Sequence, residues 1–193
     1  MRTDPRSLLL LLCLLGGLLT LPAARALAVA THIVTKTADT NDGVCNADCS
    51  LREAIAAAGP GDTIQFAVTG TITLMLGQLQ ISQDLTITGP GAALLAISGN
   101  HASQVFVISG GTVHLDGLTI QDGLASFASG GGVLNNGTTH ITDSVVTNNS
   151  APGGFGGGIC NNGTMTIDHS TISDNHADGA GSGGGWGTPS GRP

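Results

Sequence analysis

Two segments of this chain, GGGVLNNGTTHITDSVVTNNSA (130–151) and GGGICNNGTMTIDHSTISDNHA (156–177), are identical at eleven of twenty-two positions when Gly130 is laid over Gly156. The triplet Gly130, Gly131 and Gly132 recurs as Gly156, Gly157 and Gly158. Asn135, Asn136, Gly137 and Thr138 recur as Asn161, Asn162, Gly163 and Thr164. The same offset places GTVHLDGLTIQDG (111–123) under both copies, so that Val113, Thr139 and Met165 form one column. Leu115, Ile141 and Ile167 form a second, and Ile120, Val146 and Ile172 a third. A fixed period of this size is the signature of stacked repeats.

Each copy holds short alternating stretches, VLN, THIT and SVVT, separated by Gly, Asn or Asp. Period-two alternation with β-branched residues means strands with one buried face, since helices need longer runs at period 3.6. Short strands that turn at Gly-rich corners and return at a constant period make one coil of a β-solenoid. Successive coils then pair in parallel, roughly 4.8 Å apart. An antiparallel β-sandwich also uses short alternating strands, but it would not require a constant period. In the solenoid the three apolar columns point inward, and Asn135 over Asn161 forms an amide ladder. Gly supplies positive φ at the corners. The chain has no Tyr, four Phe and one Trp, so the core must be aliphatic. Upstream, residues 63–111 are strand-like with looser spacing, and DLTITGPG reads as a divergent coil. The expected total is five or six coils.

A solenoid exposes an apolar cross-section at each end, so terminal units are atypical. CSLREAIAAAG (49–59) supplies one such unit. Ser50 and Glu53 have capping-box spacing. Leu51, Ala54, Ile55 and Ala58 fall on one helical face, and Gly59-Pro60-Gly61 ends the helix. The spacing predicts a short amphipathic helix over the first coil. Cys45 and Cys49 flank a tight loop beside it. No further Cys or clustered His completes a zinc set, which favours a local disulfide over a metal pair.

The stretch TADTNDGVCNADCSLREAIAAAGPGDTIQF resembles the N-terminal signature of CSLREA-domain proteins, a family of secreted bacterial proteins. The string itself is complete, from Cys49 through Ser50, Leu51, Arg52 and Glu53 to Ala54. The GGGICNNGTMTIDHSTISDN units are similar to polymorphic outer-membrane protein repeats. The resemblance implies an all-β, right-handed parallel β-helix of the pectin-lyase-like class with an N-terminal cap. It implies no single activity and carries over no catalytic residues.

The first thirty residues have the plan of a secretory signal peptide: Arg2 and Arg6, an apolar run LLLLLCLLGGLLTL, then small-residue sites ending at Ala26, Ala28 or Ala30. The expected division is signal peptide 1–30, cap 31–62, coils 63–187 and an uncapped tail 188–193. The expected location is extracellular or at the cell surface, with no integral membrane segment after cleavage. The whole chain carries a formal charge of −7. Cleavage after Ala30 leaves Lys36, Arg52 and Arg192 against twelve acids, or 3 − 12 = −9. Such a chain lacks the clustered Lys and Arg that nucleic acid requires. Cys160 follows the inward Ile159, so it is expected to point outward, as a free thiol or paired with another chain.

A polysaccharide lyase on this fold needs a basic residue in the coils, and the three basic residues lie outside them. A glycosidase needs paired carboxylates. Asp116 and Asp168 share a column with Thr142 between them, and Asp122 and Asp174 share one with Asn148 between them. Two layers is roughly 10 Å, at the upper edge for an inverting pair. Asp143 and His169 share another column, and His114 stacks under His140. Asp and Asn also favour turns for purely local reasons, and that is the preferred reading of these columns. Ca²⁺ is the one cofactor that Asp/Asn corners would suit, although the calcium-binding nonapeptide pattern is absent. The leading reading is a non-enzymatic structural, adhesive or interaction module with glycans or other surface proteins as partners. The alternatives are a polysaccharide-active enzyme with an incomplete site, and a truncated piece of a larger surface protein, since GSGGGWG (181–187) begins a further copy.

Overall fold

The structure, a computed structural model, describes residues 29–126, 128–179 and 186–187. Residues 1–28 of the expected signal peptide and the expected tail 188–193 lie outside the described residues.

The described residues form a three-sided parallel β-solenoid with one short helix. The first sheet has six strands: β1 (Thr31–Val34), β2 (Asp62–Phe66), β5 (Leu85–Thr88), β8 (Thr112–Asp116), β11 (Thr138–Thr142) and β15 (Thr164–Asp168). The second has five: β3 (Gly70–Thr73), β6 (Leu95–Ser98), β9 (Thr119–Gln121), β12 (Val145–Thr147) and β16 (Thr171–Ser173). The third also has five: β4 (Leu79–Ile81), β7 (Phe106–Ile108), β10 (Val133–Asn135), β14 (Ile159–Asn161) and β18 (Trp186–Gly187). A small fourth pairing joins β13 (Ser150–Ala151) to β17 (His176–Ala177) at a corner. The helix α1 (Leu51–Ala57) sits between β1 and β2 in the chain.

From β2 to β15 the chain returns to the first sheet four times. Asp62 faces Leu85, Leu85 faces Val113, Val113 faces Thr139 and Thr139 faces Met165. The turns are fewer than the five or six expected from the sequence, because the segment before β2 is spent on β1 and the cap. The last two steps are equal, the first is shorter and the second is longer. The strict period holds only where the repeat is legible. The early coils absorb their difference in corner loops, because strand registry fixes only the columns.

Those columns are the core. Ile64, Ile87, Leu115 and Ile141 stack inside the first sheet, and Ile72, Ile97, Ile120 and Val146 inside the second. Leu79, Phe106, Val133 and Ile159 stack inside the third. All are buried, each contributing about 1.5–3 kcal/mol of apolar transfer. Met165, Ile167 and Ile172 continue the columns but are only partly buried.

The glycines divide into two kinds. Only the first of each triplet has positive φ, Gly130 at 74° and Gly156 at 58°. The others serve close approach instead. A Cβ on Gly132 would lie 2.7 Å from the Gly158 carbonyl oxygen, and one on Gly137 would lie 2.7 Å from the Gly111 oxygen. Most repeat glycines therefore let backbones touch and do not turn the chain. Cys160 also differs from its expected exposure. It alternates with the inward Ile159, yet it is 1% exposed, with the Ser129 side chain against its sulfur. It is a free thiol, and burial raises its pKa.

Candidate functional site

The cap string builds a single hydrogen-bonded unit in which each residue has a distinct task. Cys49 is disulfide-bonded to Cys45. Ser50 is the N-cap of α1, and its hydroxyl accepts from the Glu53 N–H while Glu53 Oε2 accepts from the Ser50 N–H at 2.7 Å. Leu51 and Ala54 are buried in the core, and Ile55 packs against it. Arg52 donates from Nε and Nη2 to the two oxygens of Asp39, and from Nη1 and Nη2 to the carbonyls of Gln78 and Gly77. It thereby ties the helix to the segment leading into β4.

Buried carboxylates complete the cap. Burial alone would raise the Glu53 carboxyl, but N–H groups of Ser50 and Asp42 and hydroxyls of Thr40 and Ser50 hold it at about 2. Asp62 accepts from the Ala30 and Gly59 amides and faces His32 Nε2 at 3.0 Å, which lowers its pKa to about 2. Burial likewise opposes ionisation of Asp39, but Arg52 and the amides of Leu76 and Met75 lower its pKa. The strongly perturbed carboxylates therefore serve structure at the cap.

The carboxylate columns of the coils fall in register. Thr142 faces both Asp116 and Asp168, and all three point outward from the first sheet. Asp122, Asn148 and Asp174 occupy a corner with φ of 53°, 54° and 53°. Gly117, Asp143 and His169 occupy another, with φ of 63°, 48° and 47°. These are left-handed corner positions that Gly, Asn and Asp tolerate. Asp122 Oδ2 accepts from Ser98 Oγ and Gln121 Nε2. Among the described residues no three His, Cys, Asp or Glu side chains converge as metal ligands.

Amide ladders line the interior of the corners. Asn135 Nδ2 donates to Asn161 Oδ1 at 2.6 Å, and Asn135 Oδ1 accepts from Thr139 Oγ1, which satisfies that buried threonine between Val113 and Met165. A second ladder, Asn149 over Asn175, is more completely bonded. Ser144 and Ser170 make a third, each hydroxyl accepting the backbone N–H of the coil before it. The identity of Asn149 with Asn175 and of Ser144 with Ser170, one repeat apart, was the sequence signal for both.

The outer face of the first sheet carries the most chemically distinctive surface. His114 and His140 face each other in register, their rings 4.6 Å apart and 9° from parallel. Thr86 extends the row on one side and Thr166 on the other. A parallel row holds Thr88, Asp116, Thr142 and Asp168, and a third holds Thr112, Thr138 and Thr164. No family model, curated protein or solved structure matches this chain. Its chemistry must be read from these side chains. Hydroxyl, imidazole and carboxylate groups therefore recur at a fixed coil spacing on this face. The helices of the described residues include none long and apolar enough to cross a membrane.

Proposed function

We propose that this chain is a secreted or cell-surface, non-enzymatic binding module of the CSLREA-domain type that holds glycans on the outer face of its six-stranded sheet. The observation that carries the reading is the row Thr86, His114, His140 and Thr166, which sets polar side chains one coil apart on the outer face of the first sheet. A polymer of hydroxylated units laid across the coils would meet the same kind of group at each step. The cap string and the signal-like N-terminus support export.

The test is to incubate the purified protein with a panel of neutral and acidic polysaccharides, measuring both retention and new reducing or unsaturated ends. Retention without new ends is the expected result, and His114→Ala with His140→Ala should abolish it. Sustained release of new ends would overturn the reading and direct attention to Asp116 and Asp168.

A further inference from the structure

The N-terminal segment closes the first coil unevenly. On the first sheet, β1 pairs along the free edge of β2. On the second, Ala38 bridges Thr73 at the edge of β3. On the third, β4 is the terminal strand among the described residues, with β7 on one side only. In a parallel pair, alternate residues bond to the neighbour. The Leu79 N–H donates to the Val105 carbonyl, and the Ile81 carbonyl accepts from the Ser109 N–H. The N–H and C=O of Gln80 therefore point away from β7, towards a groove of about 430 Å³. That groove lies between α1 and β4 and is lined by Arg52, Ile55, Ala56, Gln78, Gln80 and Gln83, among others.

We propose that this groove receives a short extended segment of a partner polypeptide, added parallel to β4 as a further strand of the third sheet. The slot continues the ladder of β4, β7, β10 and β14 at the same coil position that β1 and Ala38 fill on the other two sheets. An open strand edge is a template for pairing, and main-chain bonds supply the affinity of such additions. The wall chemistry selects an uncharged segment. Arg52 is neutralised by Asp39 and spends its other donors on Gly77 and Gln78. The side chains of Gln78 and Gln80 then offer amides suited to peptide groups. This surface is distinct from the His114–His140 face.

The probe is a terminally blocked peptide QVFVISG, the sequence of residues 104–110, which already pairs in parallel with β4 along its other edge. At millimolar peptide the Gln80 amide resonance should shift, and its hydrogen exchange should slow by at least about tenfold. Gln80→Pro should abolish the peptide-induced shifts of the neighbouring Leu79 and Ile81 amides while leaving the thermal melt close to the parent, because the Gln80 N–H makes no bond to β7. Ala56→Trp should block the groove from the helix side. The same peptide N-methylated at alternate residues should not bind. An unmoved Gln80 amide, or equal binding by the N-methylated peptide, overturns the proposal. A response to neutral oligosaccharides but not to the peptide also overturns it and makes the groove a glycan site. Throughout, the His114 and His140 signals report the outer face separately, so the two surfaces can fail independently.

Discussion

Asn149 donates from Nδ2 to Oδ1 of Asn175, one coil away, at 2.9 Å. The same Asn175 oxygen accepts the Asn149 backbone N–H, and Asn149 Oδ1 accepts the Gly123 N–H at 2.8 Å. Asn149 Nδ2 also reaches the carbonyls of Ile120 and Thr147. Asn149 is buried, so truncation strands groups in three coils. Asn149→Ala should cost on the order of 3 kcal/mol, since each unsatisfied buried group costs about 1–3 kcal/mol. Urea unfolding followed by circular dichroism measures it, and a loss below about 1 kcal/mol would show that water replaces the ladder.

The cap should be the acid-sensitive part of the fold. Glu53 and Asp62 titrate at about 2 when folded, against ordinary values of 4.5 and 3.8. Between those values the unfolded chain binds protons that the folded chain does not, so stability rises with pH there. Their contribution is full above about pH 4.5 and is lost as pH falls towards 2. Melting temperature should decline through that window. Glu53→Gln should lower stability at neutral pH and flatten the decline, which a pH series of thermal melts will show.

Arg52 cannot be replaced by lysine without loss. Its planar fork meets both Asp39 oxygens and two carbonyls at once, whereas an ammonium is a point charge on a flexible stem. Arg52→Lys should destabilise by about 2 kcal/mol, the scale of hydrogen bonds to charged groups. Hydrogen exchange should show the loss first in α1 and the segment before β4. A uniform loss across all coils would instead mean that the cap and coils unfold as one unit.

His169 sits at a left-handed corner, with φ of 47°. His169→Gly should be tolerated, because glycine adopts that conformation freely. His169→Val should cost about 1–2 kcal/mol, since a β-branched residue is strained there. If both variants melt alike, the corner relaxes out of the left-handed region and the strain argument fails.

Ala30 is tied into the fold at both ends of its peptide. Its N–H donates to Asp62 Oδ1 at 2.7 Å, and its carbonyl accepts from the Thr63 N–H. Removal of the leader after Ala30 would sever Ala30 from the chain. On the proposed export, processing should leave Leu27 or Val29 as the first residue, which intact-mass measurement will read. A chain beginning at Thr31 would count against a structural role for the Ala30 contact.

The constant period of the later coils, the alternation within each short stretch and the Ser50–Glu53 spacing are local properties of the chain. They are enough to specify parallel coils, the inward columns and the helix start, because each depends on residues within one coil or one turn. The divergent coils carry no such period. Strand registry tolerates a shortened step from Asp62 to Leu85 and a lengthened one from Leu85 to Val113, so the period disappears while the columns persist. The partners of Arg52 lie a full coil or half a coil away in sequence, and no local pattern names Asp39, Gly77 or Gln78. Most repeat glycines likewise answer to a carbonyl in the adjacent coil rather than to their own φ. Cys160 is buried by packing on the outside of its coil, where alternation alone indicates exposure. The open edge at Gln80 belongs to the same class. It exists because β1 and Ala38 close two sides of the first coil and nothing among the described residues pairs with the third. That asymmetry arises only when the coils are stacked and the cap is laid upon them.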